Sequence, residues 1–558
     1  MTSFDYNRRN FLRSTFAAST AAACFTYSGG AAAFGSRLTL DGSRQKTTWL
    51  SSLSHSLQVP ELFNQVTTPP THTRNLVIGS GFGGAISALR LAQAGEPVTI
   101  LERGFKWPNS PNRSIFSNDT LPDGRAFWFK NRASMLTGID MYMDSFGGVI
   151  DATEYDNMTV WRGACVGGGS VIFTGVMIQP DQNYFDALFQ GSVSYSELDA
   201  VYYPRVRRML NLSCMPDDVY QSDSFGHSRA WDEHMRMAGY APEPIDSIFN
   251  WSVIRSELSG RSRKSATVGL SNHGNSNGAK FDLNQNYLSS AEATGLAKVY
   301  PGQVVESIGW DGSRYVVEVI SQTVTGKQLA RTTLTCDRLF LAAGSVGTSE
   351  LLVKARDQGA LANLNEYVGE GWGTNGDAIV VRSFAAMAGK TQGTPSASRI
   401  HDTREGMPVT FENWYAPGVP LNVGIIGTLG MAFDETNRGK FTLNPSTGKV
   451  DLQWNKEGNA DAHAAIERVN QRIATASDTV PGAWPFVDSV NGKNWTAHPL
   501  GGAVLGLATD NYGRVEGHPG LYVMDGAAIP GSTGSVNPSL TIAAMAERNI
   551  ETIIAAGG

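Results

Sequence analysis

The chain has 558 residues, 17% of them charged, with 61 glycines and a formal net charge of −6. That length is enough for a large core shared by two interlocked domains. The mildly acidic balance argues against an electrostatic nucleic-acid surface, and no internal repeat or low-complexity tract breaks the sequence.

Residues 1–33 stand apart from the fold. Arg8-Arg9-Asn10-Phe11-Leu12-Arg13 is close to a twin-arginine export signal, and a weakly apolar, Ala-rich stretch leads to Ala31-Ala32-Ala33 as a cleavage site. The expectation is a secreted or periplasmic protein; the plainer reading is a disordered basic tail. No other stretch approaches the ~18 apolar residues needed to span a bilayer. Beyond the signal only Cys165, Cys214 and Cys336 remain, an odd number that leaves at least one thiol without an intramolecular partner. The nine histidines form no HExxH or comparable cluster, so no metal site is indicated.

Residues 34–72 are rich in Ser and Thr and read as an extended arm. NLVIGSGFGGAISALRL, residues 75–91, then reads as strand, glycine turn and helix. Gly79 permits the tight turn, Gly81 lets the backbone approach a pyrophosphate, and Gly84 allows close helix–strand packing. The helix N-terminus would face the phosphates. A second strand over 98–101 ends at Glu102, whose carboxylate can accept hydrogen bonds from a ribose. Together these features predict a dinucleotide site, against a glycine-rich turn with no ligand.

Residues 105–155 are irregular, the kind of long segment that covers a site or carries function. Gly167-Gly168-Gly169 precedes an apolar run and brings the backbone close to something flat or charged. A further αβ-like region starts near Ala279, with a turn at Pro301-Gly302, strands over 315–320 and 329–334, and a buried strand from Arg338 to Ser345. Residues 376–497, richer in aromatics and short strands, suit a substrate-facing sheet. From His498 the chain rejoins the first domain.

Near the C-terminus, Val536-Asn537-Pro538 opens a helix through 541–554, with Asn at the cap and Pro at the first helical position. Capping alone would account for Asn537. A helix N-terminus also carries about half a positive charge, and aimed at a flavin it would stabilise the reduced anion. His498 is fixed between Ala497 and Pro499-Leu500-Gly501-Gly502. There it can accept a hydroxyl proton, since its unperturbed pKa is near ~6.5.

The glycine fingerprint, CVGGGS, FLAAGSVGTSELL, GWGTNGD, HPLGG and NPSLTIAAMAERN together resemble the glucose–methanol–choline (GMC) oxidoreductases. Within that family they are most similar to the secreted FAD-containing sterol oxidases. The resemblance runs from about residue 73 to the end and includes WFKNR (128–132), YDNM (155–158) and LLVKARDQGALANLN (351–365). It implies an α/β fold: a Rossmann-like FAD-binding domain with a parallel sheet, and a substrate domain whose mixed β-sheet covers the flavin. The FAD domain is drawn over 73–110, 270–372 and 498–558, the substrate domain over 111–269 and 373–497. The resemblance puts Gly79, Gly81, Phe82, Gly83, Gly84, Glu102, Gly169, Phe173, Thr174, Val176, Val304, Asp525, Gly526 and Ser539 at FAD. His498 and Asn537 match the residues that face the substrate hydroxyl. Glu412 aligns with the carboxylate that moves a steroid proton during isomerisation.

Two departures bear on the substrate. Phe173-Thr174 stands where the sterol oxidases have Asn-Gly, and Thr410 where they have a gating aromatic. The expected partners are a bulky apolar alcohol such as a sterol, dioxygen, and a transient membrane surface from which sterol is extracted; no nucleic acid is expected. Two other readings stay open: a dehydrogenase that passes electrons to a cytochrome or quinone, and a flavin- or sterol-binding protein without turnover.

Overall fold

The computed structural model describes residues 49–134, 140–386, 389–394, 397–415, 421–483 and 494–557; the export signal read over 1–33 lies outside them. Two large sheets organise the described chain. In the first, strands Ala297–Pro301, Val98–Glu102, His72–Ile78, the inner half of Gln328–Leu341, and Leu521–Val523 run parallel. Val98–Glu102 is buried at every position, as expected for a strand covered on both faces. The outer half of Gln328–Leu341 turns antiparallel partner to Tyr315–Gln322, which pairs in turn with Gln303–Trp310. The two strands expected over 329–334 and 338–345 are therefore one. Its burial changes from exposed to fully buried along its length, and that hides its continuity in the sequence.

Helix Phe82–Gln93 packs against helix Ser539–Ala555, so two segments far apart in the chain meet beside this sheet. A buried charge network ties them. Glu547, fully buried, accepts from Arg90 Nε at 2.7 Å and Nη2 at 2.6 Å, and from the Tyr287 hydroxyl at 2.8 Å. Removing one partner of such a network strands the others. Glu547→Ala should destabilise the protein by about 3–5 kcal/mol, seen as a lower urea midpoint, with Glu547→Gln losing less.

The second sheet has six strands in the order Val480–Ala483, Asp377–Ser383, Ile425–Ala432, Val409–Trp414, Ser398–Asp402 and Glu243–Pro244, all paired antiparallel. A smaller mixed sheet joins Ile150–Glu154, Met158–Gly163 and Asn494–Thr496. Side chains alternate between the faces of a strand. Val380, Val409, Phe411 and Ala432 pack on one face of the large sheet with Ile466, Val469 and Ile473 of helix Ala460–Ala476. Ile379, Trp414 and Leu429 occupy the other face with Trp495. That face looks into the cavity described below.

The arm expected over 34–72 is helical at Trp49–Gln58, followed by a short 3-10 turn at Pro60–Phe63. Val59 and Leu62 anchor it in an apolar cluster with Phe105 and Phe146, a tertiary contact that composition does not reveal. Cys165, Cys214 and Cys336 are all free thiols.

Candidate active site

A cavity of about 1210 Å³ runs from the glycine turn of the first sheet to the front face of the second. Gly79 sits at φ +98°, and a Cβ there would come within 2.2 Å of the Ala342 carbonyl, so only glycine closes the turn. Gly84 packs its bare face against the Gly79 carbonyl, and Gly83 does the same against Met524. A Cβ on Gly81 or Gly169 would instead meet nothing within 4 Å. Both line the cavity, so the backbone is bared there to a group of substantial size.

Glu102 is buried at the end of its strand. It accepts from Ser80 N and Oγ at 3.1 and 2.7 Å and from Gly104 N at 2.9 Å. Ser80 Oγ also accepts from Gly167 N at 3.1 Å, so the carboxylate joins the dinucleotide turn to the three-glycine loop. Val304, Thr174, Gly526 and Ser539 line the same cavity. Phe173 does too, edge-on to Phe82 at 6.0 Å between ring centres. Behind Phe173, burial pushes the Lys280 ammonium down to about 7, and Nζ donates to the Val171 and Ser271 carbonyls. Asp525 lines the cavity with its oxygens engaged by Gly344 N, Thr348 Oγ1 and Ala527 N. Burial raises its pKa to about 6; it pins the helix Gly344–Asp357 to its own turn. Val176 does not line the cavity. It is fully buried with Ile178, Ile245 and Val536, behind the turn that carries Asn537.

Three of the sequence-predicted residues converge at the far end. His498 and Asn537 line the cavity. Asn537 is not the helix cap expected of it: Pro538 is the cap, and the helix begins at Ser539. Released from capping, the Asn537 amide donates from Nδ2 to Glu412 Oε1 at 3.4 Å, and Oδ1 has no protein partner. Glu412 is fully buried, and burial raises its pKa to about 8, with the Asn537 hydrogen bond opposing. Thr410 is not among the residues lining the cavity. Its hydroxyl bonds His401 at 3.0 Å and the Ser535 hydroxyl at 3.3 Å, and Ile379, Leu429 and Trp414 supply the lining.

Sequence reasoning missed Asp377. Strand alternation puts it on the face shared with Ile379, and its Oδ2 lies 3.3 Å from His498 Nδ1. Its side chain is fully buried, and Oδ1 has no hydrogen-bond partner. GWGTNGD contains this residue, but only the register of the six-stranded sheet brings it to the imidazole. A buried carboxylate there fixes the ring and stabilises it once protonated.

Residues 435–546 match a family model for the C-terminal part of GMC oxidoreductases, described as "GMC oxidoreductase". The chain is 28% identical to a cholesterol oxidase of Mycobacterium tuberculosis over 549 residues, covering 85% of this chain and 89% of the relative. It is 25% identical to a cholesterol oxidase of Acinetobacter baumannii over 554 residues, covering 86% and 94%. The fold is shared with pyridoxine 4-oxidase from Mesorbium loti, with a TM-score of 0.57 at 15% identity over 87% of this chain and 99% of the other. It is shared too with a fungal aryl-alcohol oxidase, at a TM-score of 0.58 and 12% identity over 88% and 100%.

Proposed function

We propose that the chain is a GMC oxidoreductase with FAD as its cofactor, as its likeness to that family supports, and that it oxidises the secondary hydroxyl of a bulky apolar alcohol, a 3β-hydroxysterol, to the ketone. Dioxygen is the final acceptor and hydrogen peroxide the second product. One observation carries this reading: Asn537, whose buried Oδ1 has no hydrogen bond, and His498, whose Nδ1 faces Asp377 at 3.3 Å, line one cavity with Ile379, Leu429, Trp414, Trp161 and Trp495. Polar groups set beside this cluster of apolar and aromatic side chains suit a site that orients a large apolar ligand by one functional group.

The residues present fit FAD. Gly79, Gly81 and Gly83 would hold its pyrophosphate, Glu102 a ribose, and Gly169, Phe173 and Ser539 its ring end. Bound there, FAD supplies the two-electron acceptor. Asn537 Oδ1 accepts the substrate hydroxyl and orients the carbinol. With Nδ1 turned to Asp377, Nε2 is the His498 atom left to take the hydroxyl proton. In a second step Glu412 takes a proton from the carbon between the new ketone and the 5,6 double bond. It returns that proton at the far end of the alkene, which leaves the 4,5-enone.

The test is a visible spectrum of the purified holoprotein followed by anaerobic addition of cholesterol. Bleaching of the yellow band, and peroxide on admitting air, are expected. No bleaching sinks the sterol reading. Bleaching without oxygen uptake assigns the electrons to a cytochrome or quinone instead.

A further inference from the structure

We propose that Asp119 and His273 form a second polar subsite in the wall of the same cavity, one that takes a hydroxyl group on the substrate remote from the carbon being oxidised. This rests on the alcohol-oxidising reading above and names its substrate more closely: an apolar alcohol with a second hydroxyl. Both residues line the cavity, and their side chains are 4% and 8% exposed. His273 Nδ1 lies 2.9 Å from Asp119 Oδ1 but out of line for a hydrogen bond. Neither Asp119 oxygen nor His273 Nδ1 has a hydrogen-bond partner in the protein. The Tyr415 hydroxyl is buried beside Asp119 and Asn272, and burial together with the Asp119 charge holds its phenol protonated.

The pair is distinct from the reacting end. Among the described residues no hydrogen bond or ion pair joins Asp119 or His273 to His498, Asn537 or Glu412. A run of edge-on ring contacts leads from Trp495, three residues before His498, to Trp161 at 5.7 Å, on to Phe127 at 5.7 Å, and then to His273 at 6.0 Å. An apolar slot with polar groups at both ends suits a rigid hydrocarbon frame that is polar at both ends. Buried polar groups demand partners, and a hydrocarbon terminus would leave this carboxylate and imidazole dry. A hydroxyl satisfies both, donating to Asp119 and accepting from the imidazole N–H. A carbonyl has no proton for the carboxylate, and an ammonium has no lone pair for the imidazole.

The experiment compares 5-androstene-3β,17β-diol with 5-androsten-3β-ol, which lacks only the remote hydroxyl, on the holoenzyme, reading the ratio of their kcat/KM values. The wild type should favour the diol by about tenfold, the scale of one charge-assisted hydrogen bond. Asp119→Asn and His273→Phe should each bring the ratio close to one. A ratio near one in the wild type, with solvent satisfying the pair, overturns the subsite while leaving alcohol oxidation standing. An undiminished ratio in either folded variant overturns it too, and if neither variant folds the wild-type ratio decides. If neither steroid reduces the enzyme, the steroid reading fails and the subsite with it.

Discussion

His498→Ala is expected to lower kcat/KM for the alcohol by about 10²–10⁴, the usual contribution of a positioned general base. The loss should fall mainly on kcat, because the apolar lining from Ile379, Leu429 and Trp414 that holds the substrate is untouched. The fold should survive: the His498 side chain is partly exposed and its nearest charged neighbour is Asp377. Anaerobic stopped-flow bleaching by cholesterol separates the two effects. A variant that bleaches at the wild-type rate would remove His498 from the chemistry. Asp377→Asn tests the support behind it, with a smaller loss expected because the ring remains while its buried counter-charge is gone.

Glu412→Gln should abolish migration of the double bond and spare alcohol oxidation far more, so the unconjugated ketone accumulates. Chromatography of the product reads this directly; conjugated enone formed at the wild-type rate would refute the assignment. In the wild type the migrating step needs the carboxylate ionised, and burial raises its pKa to about 8. Enone formation should therefore rise with pH up to about 8 and then level. The same shift has a stability consequence of opposite direction. The folded state keeps a proton that the unfolded chain releases near its ordinary value of 4.5. This contribution is full below that value and is lost as pH rises toward 8, at about 1.4 kcal/mol per unit. Urea midpoints measured across pH 5–8 should fall less steeply for Glu412→Gln than for the wild type.

Local chemistry already declared the dinucleotide turn. Gly79, Gly84 and Glu102 act within one strand–turn–helix–strand unit, so their spacing carries the geometry. His498 and Asn537 were legible as candidates because proline and glycine fix their backbones. Asn537 misled in one respect: Asn-Pro at a helix start reads as a cap, whereas in the fold the cap is Pro538 and the amide reaches across to Glu412. Nothing in the residues around Glu412 announces a functional carboxylate. Only its place opposite Leu429 in the sheet, beside the cavity, does.

The sequence alone determined the dinucleotide turn, because it is written in short-range spacing and periodicity; the two-part α/β plan and the residues at the reacting end were implied by the resemblance to GMC oxidoreductases. Tertiary structure decided which side chains meet. Asp377 reaches His498 through the alternation and register of an antiparallel sheet, and Asp119 reaches His273 across 154 positions of chain. Those pairings depend on how distant segments pack, and a one-residue slip in a strand would turn Asp377 and Glu412 to the opposite face.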